Sequence, residues 1–252
     1  LNDIKKASMK LIKLKKNDLI IDIGCNDGTL LNFFDEKKYQ LVGFDPALNL
    51  SNKNEKFKRI KNYFSLNNLL KAKVRKKAKL ITSIAMFYDL DNPNKFVRDI
   101  HSSLDENGLW VIQFADLLEM LNLKMYDQII HEHLEYYHLK PLEFLLNKNK
   151  LKIIKIEKNN VNGSSYRIFV KKNLAKFKEH KSVKYFRKLE NKAKLENVST
   201  YKKFNKEIVS HKNKLVKIIR ELNKKNKKVF GLGASTKGNV ILNYCNFTKK
   251  EI

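Results

Sequence analysis

Histidines, acids and tyrosines are concentrated between Tyr126 and His138. These thirteen residues contain three of each kind. A histidine titrates near neutral pH, and a neighbouring carboxylate can orient its ring and hold its proton. The spacing favours a general base, with His133 as the first candidate and Glu132 as its partner. Any single histidine here is equally consistent with a helix cap or a buried hydrogen-bonding residue, and it is the density of the cluster that favours chemistry.

The same cluster raises the alternative of a metal site. His131 and His133 stand at positions i and i+2, so an extended segment would direct both rings to one face. No third and fourth ligand follows at zinc-like spacing, and the chain has only two cysteines, too few for a four-cysteine zinc site. We therefore expect no metal.

A second chemical motif lies between Leu19 and Leu31. The apolar run from Leu19 to Ile23 predicts a buried strand, and Gly24 and Gly28 permit backbone angles or close approaches that a Cβ would prevent. The pattern predicts a strand, a tight loop and an apolar helix that together hold a nucleoside-type ligand.

The charges around this loop indicate the kind of ligand. Its Gly-x-x-x-Gly spacing differs from the Gly-x-Gly-x-x-Gly of dinucleotide sites, so no diphosphate is expected. Asp22 and Asp27 would repel a diphosphate but tolerate a ligand with a sulfonium and an ammonium group. Asp45, which ends the next apolar run, can accept both hydroxyl hydrogens of a ribose. Cys25 and Asn26 are less informative, because small or amide residues in such turns usually just fit the backbone.

This order of acid, glycine turn and second acid resembles the class I S-adenosylmethionine-dependent methyltransferases. The resemblance implies a Rossmann-like α/β fold and S-adenosylmethionine as the cofactor. The positions it assigns to cofactor binding are Asp22, Gly24, Asn26, Gly28, Asp45 and Met86. A doubly wound nucleotide domain with another ligand is the alternative.

Strands and helices alternate through the first half of the chain. Apolar runs from Leu80 to Met86 and from Leu109 to Phe114 predict buried strands, with a helix between Pro93 and Leu104. This alternation predicts a mostly parallel sheet. Residues 151–170 then predict an antiparallel hairpin that ends the sheet, and long helices are expected between about residues 181 and 226.

A second strand, turn and helix is predicted from Lys228 onward. Its loop, from Gly231 to Asn239, is rich in glycine and hydroxyl groups and contains Lys237 but no acid, which suits an anion. A tight turn without a ligand is the alternative. No strand follows to complete a second sheet, so we expect the chain to be a fragment. Its predicted parts are a cofactor-binding domain in residues 1–175, a helical bridge in 176–226 and the start of a C-terminal α/β domain in 227–252.

The composition excludes several classes of protein. The 252 residues are 42% hydrophobic, enough for a packed core. There is no 18-residue apolar run and no visible secretory signal, so we expect a cytoplasmic enzyme without a membrane span. Cys25 and Cys245 lie far apart in sequence, which argues against a structural disulfide.

The net charge of +27 raises nucleic acid as a partner. The lysines, however, recur along the whole chain instead of clustering with aromatic residues. We interpret them as solvated faces and expect no specific nucleic-acid partner, though some affinity for polyanions. The oligomeric state does not follow from the sequence.

Three stretches taken together resemble the sugar C-methyltransferases, which act on nucleotide-linked keto-deoxysugars. They are residues 21–30, 131–137 and 231–239, and residues 85–90 and 162–167 also look like members of that family. The resemblance implies that the general base removes a proton from a sugar carbon beside a ketone. The resulting enolate would then attack the methyl group of S-adenosylmethionine.

The resemblance also implies roles for individual residues. His133 is the base, Glu132 orients it, and Tyr136, Tyr137 or Tyr88 donates a hydrogen bond to the ketone oxygen. The residues implied to bind the small-molecule nucleotide-sugar substrate are Tyr88, Ser235, Lys237 and Asn239.

The chain departs from the family pattern in two respects. Many members have tyrosine two positions before the glutamate, where this chain has Ile130. The family also has an N-terminal zinc-binding domain and a complete C-terminal domain, so the fragment is expected to bind cofactor but to turn over poorly. A nucleic-acid methyltransferase and a non-catalytic sugar-nucleotide module are the alternative functions.

Overall fold

The computed structural model describes residues 1–47, 49–50, 55–233 and 235–252. These residues form two compact units. The first comprises Leu1–Ala115 and Leu139–Lys188, and the second comprises Asp116–His138 and Leu189–Ile252. The chain therefore passes between the units three times. The predicted domain boundaries at residues 175 and 226 stay a prediction.

A seven-stranded sheet forms the centre of the first unit. Its strands are β1 (Leu19–Ile23), β2 (Gln40–Phe44), β3 (Lys58–Ile60), β4 (Ala78–Ile84), β5 (Leu104–Ala115), β6 (Leu151–Asn159) and β7 (Ser165–Lys172). They lie in the order β3-β2-β1-β4-β5-β7-β6. The first five pair in parallel, and β7 pairs antiparallel with β5 and β6. The structure confirms the predicted α/β fold, including the hairpin.

Burial on both faces explains the composition of the inner strands. All five residues of β1 are buried, as parallel strands covered by helices require. Trp110 in β5 is buried, and its indole N–H donates to Ser83 Oγ at 3.1 Å, which satisfies its one polar group. The register sets Asp22 opposite Gly43 on β2 and Thr82 on β4, at the carboxyl end of the sheet.

Eight α-helices accompany the strands within the described residues. They are α1 (Asn2–Met9), α2 (Leu66–Lys71), α3 (Pro93–Ser103), α4 (Leu117–Asn122), α5 (Leu139–Lys148), α6 (Lys181–Ala193), α7 (Val198–Lys224) and α8 (Thr236–Tyr244). The start of α3 follows the prediction, since Asn92 Oδ1 accepts from the Lys95 N–H at 2.9 Å and Pro93 occupies the first turn.

The second unit has its own core of helical side chains. Leu117, Met120 and Leu121 of α4 pack with Tyr126, Leu195, Phe204 and Ile208, and α8 adds Val240, Ile241 and Tyr244. In the part of the chain described, no helix combines the length and apolarity needed to cross a bilayer.

The helix predicted directly after Gly28 does not form. Only a 3₁₀ turn, Leu31–Phe33, is present before β2. Asp35 explains the early end, because its Oδ1 accepts from the Lys37 N–H at 3.0 Å and its carbonyl accepts from Lys38 and Tyr39, which turns the chain toward β2.

The strand predicted from Lys228 does not form either, so that prediction is wrong. Residues 228–233 have no regular secondary structure, and Ala234 in the same loop lies outside the described residues. A strand needs a hydrogen-bonded neighbour, and the described residues of the second unit contain no strand to pair with. The helix predicted after the loop is α8.

Candidate functional site

A cavity of about 530 Å³ opens at the carboxyl end of β1 in the first unit. The residues around it come from the loop after β1, from the ends of β2 and β4, and from the chain start. They are Leu1, Asp22, Gly24, Cys25, Asn26, Asp27, Thr29, Leu30, Asp45, Ile84, Ala85 and Met86. Three of these side chains are carboxylic acids, and none is a lysine or arginine.

Two hydrogen bonds to one carbonyl hold the loop against β2. The N–H groups of Gly24 and Cys25 both donate to the Phe44 carbonyl, at 2.8 and 3.0 Å. Gly24 has φ +70°, and a Cβ there would lie 3.2 Å from Met86 Cγ. A side chain at Gly24 would therefore be strained and would displace Met86 from the cavity wall.

Gly28 allows the Phe57 ring to pack closely against the loop. Its φ is +81°, and the Phe57 ring occupies the space that a Cβ would need. Among the described residues it does not line the cavity. The structure thus places Gly28 behind the loop, where it shapes the turn.

Asp45 ties the loop to the end of β2. Its Oδ2 accepts from the Asn26 N–H at 2.9 Å and its Oδ1 from the Ala47 N–H at 3.0 Å. Asn26 is in the left-handed region at φ +49°, which asparagine tolerates. A carboxylate has about four acceptor positions, so each oxygen of Asp45 keeps capacity for a ligand hydroxyl.

Asp22 is the more deeply buried of the two buried acids of the cavity, Asp22 and Asp45. Its Oδ1 accepts a hydrogen bond from Thr82 Oγ1 at 2.6 Å. Burial raises the pKa of the Asp22 carboxyl to about 7, with a further rise from the Asp45 charge, while the Thr82 hydrogen bond acts against the rise. The site therefore holds a carboxyl that changes charge near neutral pH.

Thr82 and Ala85 were not identified from the sequence. Thr82 interrupts the apolar run of β4 with a hydroxyl, a signal that a buried polar partner is near. Ala85 has φ +56° and its N–H donates to the Gln113 carbonyl at 2.8 Å, so β4 ends at Ile84 and not at Met86 as predicted.

Tyr88 follows this bend in a 3₁₀ turn, Phe87–Asp89. It is half-buried, and burial, with the Asp89 charge, raises the pKa of its phenol to about 12. Among the described residues it is not one that lines the cavity.

His133 lies in the second unit and is partly buried. Burial lowers the pKa of its imidazole, the Lys237 charge lowers it further, and a hydrogen bond to the Gln128 carbonyl and the Glu132 charge act in the opposite direction. The net lowering favours the neutral ring at pH 7. Lys237 acts on it from α8, so folding brings together two motifs that are about a hundred residues apart in sequence.

The expected pairing of Glu132 with His133 takes a different form. The Glu132 carboxylate lies 3.5 Å from Nδ1 of His131, whose side chain is 92% exposed. Glu132 acts on His133 through its charge. The described residues contain no group of three or more histidine, cysteine or acidic side chains arranged to bind a metal ion.

The two adjacent tyrosines of the cluster differ in burial. Tyr137 is buried, whereas Tyr136 is 36% exposed. Tyr136 Oη donates to the Gln128 carbonyl at 3.2 Å, and its ring lies 6.3 Å from that of His133. Burial raises the pKa of both phenols, so both keep their proton at neutral pH.

The loop before α8 ends in a helix cap. Ser235 Oγ accepts from the Gly238 N–H at 3.1 Å. Lys237 is half-buried in the first turn, and Asn239 is exposed. The N–H groups at the start of the helix and the ammonium of Lys237 make this end of α8 electropositive.

Two known families match successive parts of the chain. The methyltransferase domain family matches residues 3–156, more than half of the chain. The chain belongs to the S-adenosylmethionine-dependent methyltransferases. The C-methyltransferase C-terminal domain family matches residues 160–252.

A curated relative of this methyltransferase is the C-methyltransferase NovU of Streptomyces niveus. The two are 25% identical over 244 residues, which cover 96% of this chain and 58% of NovU. The chain thus spans little more than half the length of that relative.

Solved structures agree on the fold. The plantazolicin methyltransferase BpumL, in complex with SAH and a pentazolic desmethylPZN analogue, has a TM-score of 0.50 and 15% identity over 67% of this chain and 82% of its own. A putative S-adenosylmethionine-dependent methyltransferase from Listeria monocytogenes has a TM-score of 0.50 and 8% identity, over 66% and 96% of the respective chains. At such identities the likeness establishes the fold alone.

The cavity fits the cofactor of the family. Its volume falls within the range of roughly 300–1,000 Å³ typical of small-molecule sites. The acids that line it suit a ligand with a sulfonium and an ammonium group, although the chain as a whole carries a net charge of +27. Asp45 would hold the ribose, and Asp22 the charged portion.

Proposed function

We propose that this methyltransferase is part of an enzyme that adds a methyl group to the carbon beside the ketone of a nucleotide-linked keto-deoxysugar. Two findings support carbon as the acceptor: the match to the C-methyltransferase C-terminal domain and the similarity to NovU. The observation that most supports the chemistry is a partly buried His133 whose pKa is lowered beside a lysine.

His133 would act as the general base. A carbon next to a ketone is a weak acid, so its proton is removed only by a correctly placed base in the neutral form. The hydrogen bond to the Gln128 carbonyl orients the ring, and burial keeps it neutral at pH 7. When bound, S-adenosylmethionine would supply the methyl group to the enolate carbon, with the S–CH3 bond broken and S-adenosylhomocysteine as the leaving group.

The negative charge on the enolate oxygen requires a donor. Tyr136 and Tyr137, which follow His133 on the same segment, and Tyr88 in the first unit are the candidates. Their raised pKa values keep them protonated, as a hydrogen-bond donor to an oxyanion must be. Glu132 would stabilise the imidazolium through its charge after proton transfer.

The start of α8 would bind the diphosphate of the substrate. Ser235 caps the helix, and Lys237 and Asn239 lie in its first turn. Helix N–H groups and an ammonium are a suitable combination for phosphate oxygens. Because Lys237 also acts on His133, a diphosphate there would bring its attached sugar toward the base.

The product identifies the reaction. The complete protein is incubated with methyl-¹³C S-adenosylmethionine and a thymidine-diphosphate-linked 4-keto-6-deoxyhexose, and the product is examined by NMR. We expect a labelled methyl group bonded to the carbon beside the ketone. A methyl bonded to oxygen or nitrogen, or label transferred only to added RNA or DNA, would contradict the proposal.

A further inference from the structure

Arg167 is a buried cation on β7 that the proposed chemistry does not use. Its side chain is 6% exposed, and its Nη2 lies 2.6 Å from Asp3 Oδ2. Its Nε donates to Gln113 Oε1 at 3.0 Å, and its Nη1 lies 3.5 Å from Glu157 Oε2. One guanidinium therefore joins α1, β5, β6 and β7. Burying a charge is costly unless such partners surround it.

Two of these partners, Asp3 and Gln113, are connected to residues that line the candidate cofactor cavity. Leu1, two residues before Asp3, lines the cavity. The carbonyl of Gln113 accepts from the N–H of Ala85, which also lines it and has the left-handed φ of +56°. A non-glycine residue keeps such an angle only where its surroundings hold it in place.

We propose that Arg167 is a positioning residue for cofactor binding, which fixes Leu1, the residue before α1, and the Ala85 bend as two walls of the cavity. It acts through Asp3 and Gln113 and touches no reacting atom. The helix α1 has a second anchor in Ile4, which is 1% exposed in the hydrophobic core. Loss of the Asp3 contact should therefore loosen the cavity without unfolding the helix.

The Asp3–Arg167 pair stays charged over the working pH range. Burial by itself would raise the pKa of the Asp3 carboxyl, but the hydrogen bond and the charge of Arg167 hold it below its usual value. The contribution of this pair to cofactor affinity should consequently be constant between about pH 5 and pH 9.

The chain offers a closely matched control at the opposite end of the same strands. Lys172 on β7 is 7% exposed and lies 2.6 Å from Glu106 on β5, which is 71% exposed. The Asp3 carboxylate is 64% exposed at the same distance from Arg167. Asp3→Asn and Glu106→Gln thus remove equivalent contacts, one beside the cavity and one far from it.

The test measures affinity by calorimetry and dissociation rate by stopped flow, with S-adenosylmethionine as the probe. We expect Asp3→Asn to raise Kd about fivefold, mainly through faster dissociation, and Glu106→Gln to change it less than twofold. Arg167→Lys should raise Kd at least as much as Asp3→Asn, because it also alters the contact with Gln113. The double variant should bind no more weakly than Arg167→Lys alone, because the Asp3 contact is already lost in that variant.

Equal effects of Asp3→Asn and Glu106→Gln on Kd would overturn the proposal, as would additive effects of Asp3→Asn and Arg167→Lys. Gly24→Arg tests the cavity assignment on which it rests. If Gly24→Arg abolishes binding while Asp3→Asn leaves Kd unchanged, Arg167 lacks the role. If Gly24→Arg also leaves Kd unchanged, the cofactor binds elsewhere.

Discussion

The place of Asp22 in the cofactor motif followed from the sequence, but its raised pKa did not. Its place at the end of an apolar run beside a glycine turn marked it as a cofactor ligand. The pKa of Asp22, about 7, depends on its burial near the end of β1, on the hydroxyl of Thr82 in β4 and on the charge of Asp45 after β2. No local pattern contains that information, because all three contributions require the folded sheet.

The shifted pKa of Asp22 predicts that cofactor binding depends on pH. A cationic ligand favours the carboxylate, so binding releases a proton below about pH 7, and affinity should fall as the pH falls. With a pKa of about 7, Kd for S-adenosylmethionine should rise about tenfold between pH 8 and pH 6. Calorimetry at several pH values measures this rise.

Two variants separate Asp22 from other acids of the cavity. Asp22→Asn should bind more weakly at pH 8 and lose the pH dependence. Asp27→Asn should keep the dependence, because Thr29 hydrogen bonds lower the pKa of Asp27 and it stays ionised. A pH profile in Asp22→Asn as steep as in the unaltered protein would show that another group titrates.

Among the helices and strands, those with long sequence patterns were predicted correctly, and those with short patterns were not. The helix from Pro93 and the β6–β7 hairpin appear where capping and alternation placed them. The strand predicted from Lys228 fails because the described residues of its unit offer no strand to pair with, which a local pattern does not reveal. The three-residue β3 has too little apolar sequence to be predicted.

In the proposed function, α8 would couple the phosphate-binding loop of residues 231–239 to His133, and Lys237 is the residue that tests this coupling. Its positive charge disfavours the imidazolium of His133, so Lys237→Gln should raise the pKa of His133. The same change should raise the KM for the nucleotide sugar severalfold through loss of a phosphate contact. NMR titration of the imidazole and steady-state kinetics measure the two effects.

Lys249→Gln is the matched control, since it removes an exposed lysine of the same unit beyond α8. Neither quantity should change in it. The coupling would be refuted by a Lys237→Gln variant with the His133 pKa and the KM of the unaltered protein.

For the whole molecule, the informative contrast is between overall and local charge. The chain has 53 lysines and arginines against 26 acids, yet the described residues that line the candidate cofactor cavity include three acids and no lysine or arginine. The overall charge of the chain therefore does not indicate the charge of the ligand, whereas the residues that line the cavity do. The sequence located that set by its motif, whereas the division of the chain into units and the effect of the Lys237 charge on His133 emerged only from the fold.

The chain spans 58% of the length of NovU, so turnover is proposed for the whole protein and is measured with it. The central claim is that His133 removes a proton from the substrate carbon. The direct measurement is deuterium exchange at the carbon beside the ketone of a thymidine-diphosphate-linked 4-keto-6-deoxyhexose, followed by NMR in D₂O with the complete protein. His131→Ala is the control, because the His131 side chain is 92% exposed in the same cluster.

We predict exchange at similar rates in the unaltered protein and in His131→Ala. In His133→Ala we predict exchange slower by about 10²–10⁴-fold, with the affinity for S-adenosylmethionine retained. Exchange in His133→Ala as fast as in His131→Ala would contradict the account and assign the base to another residue.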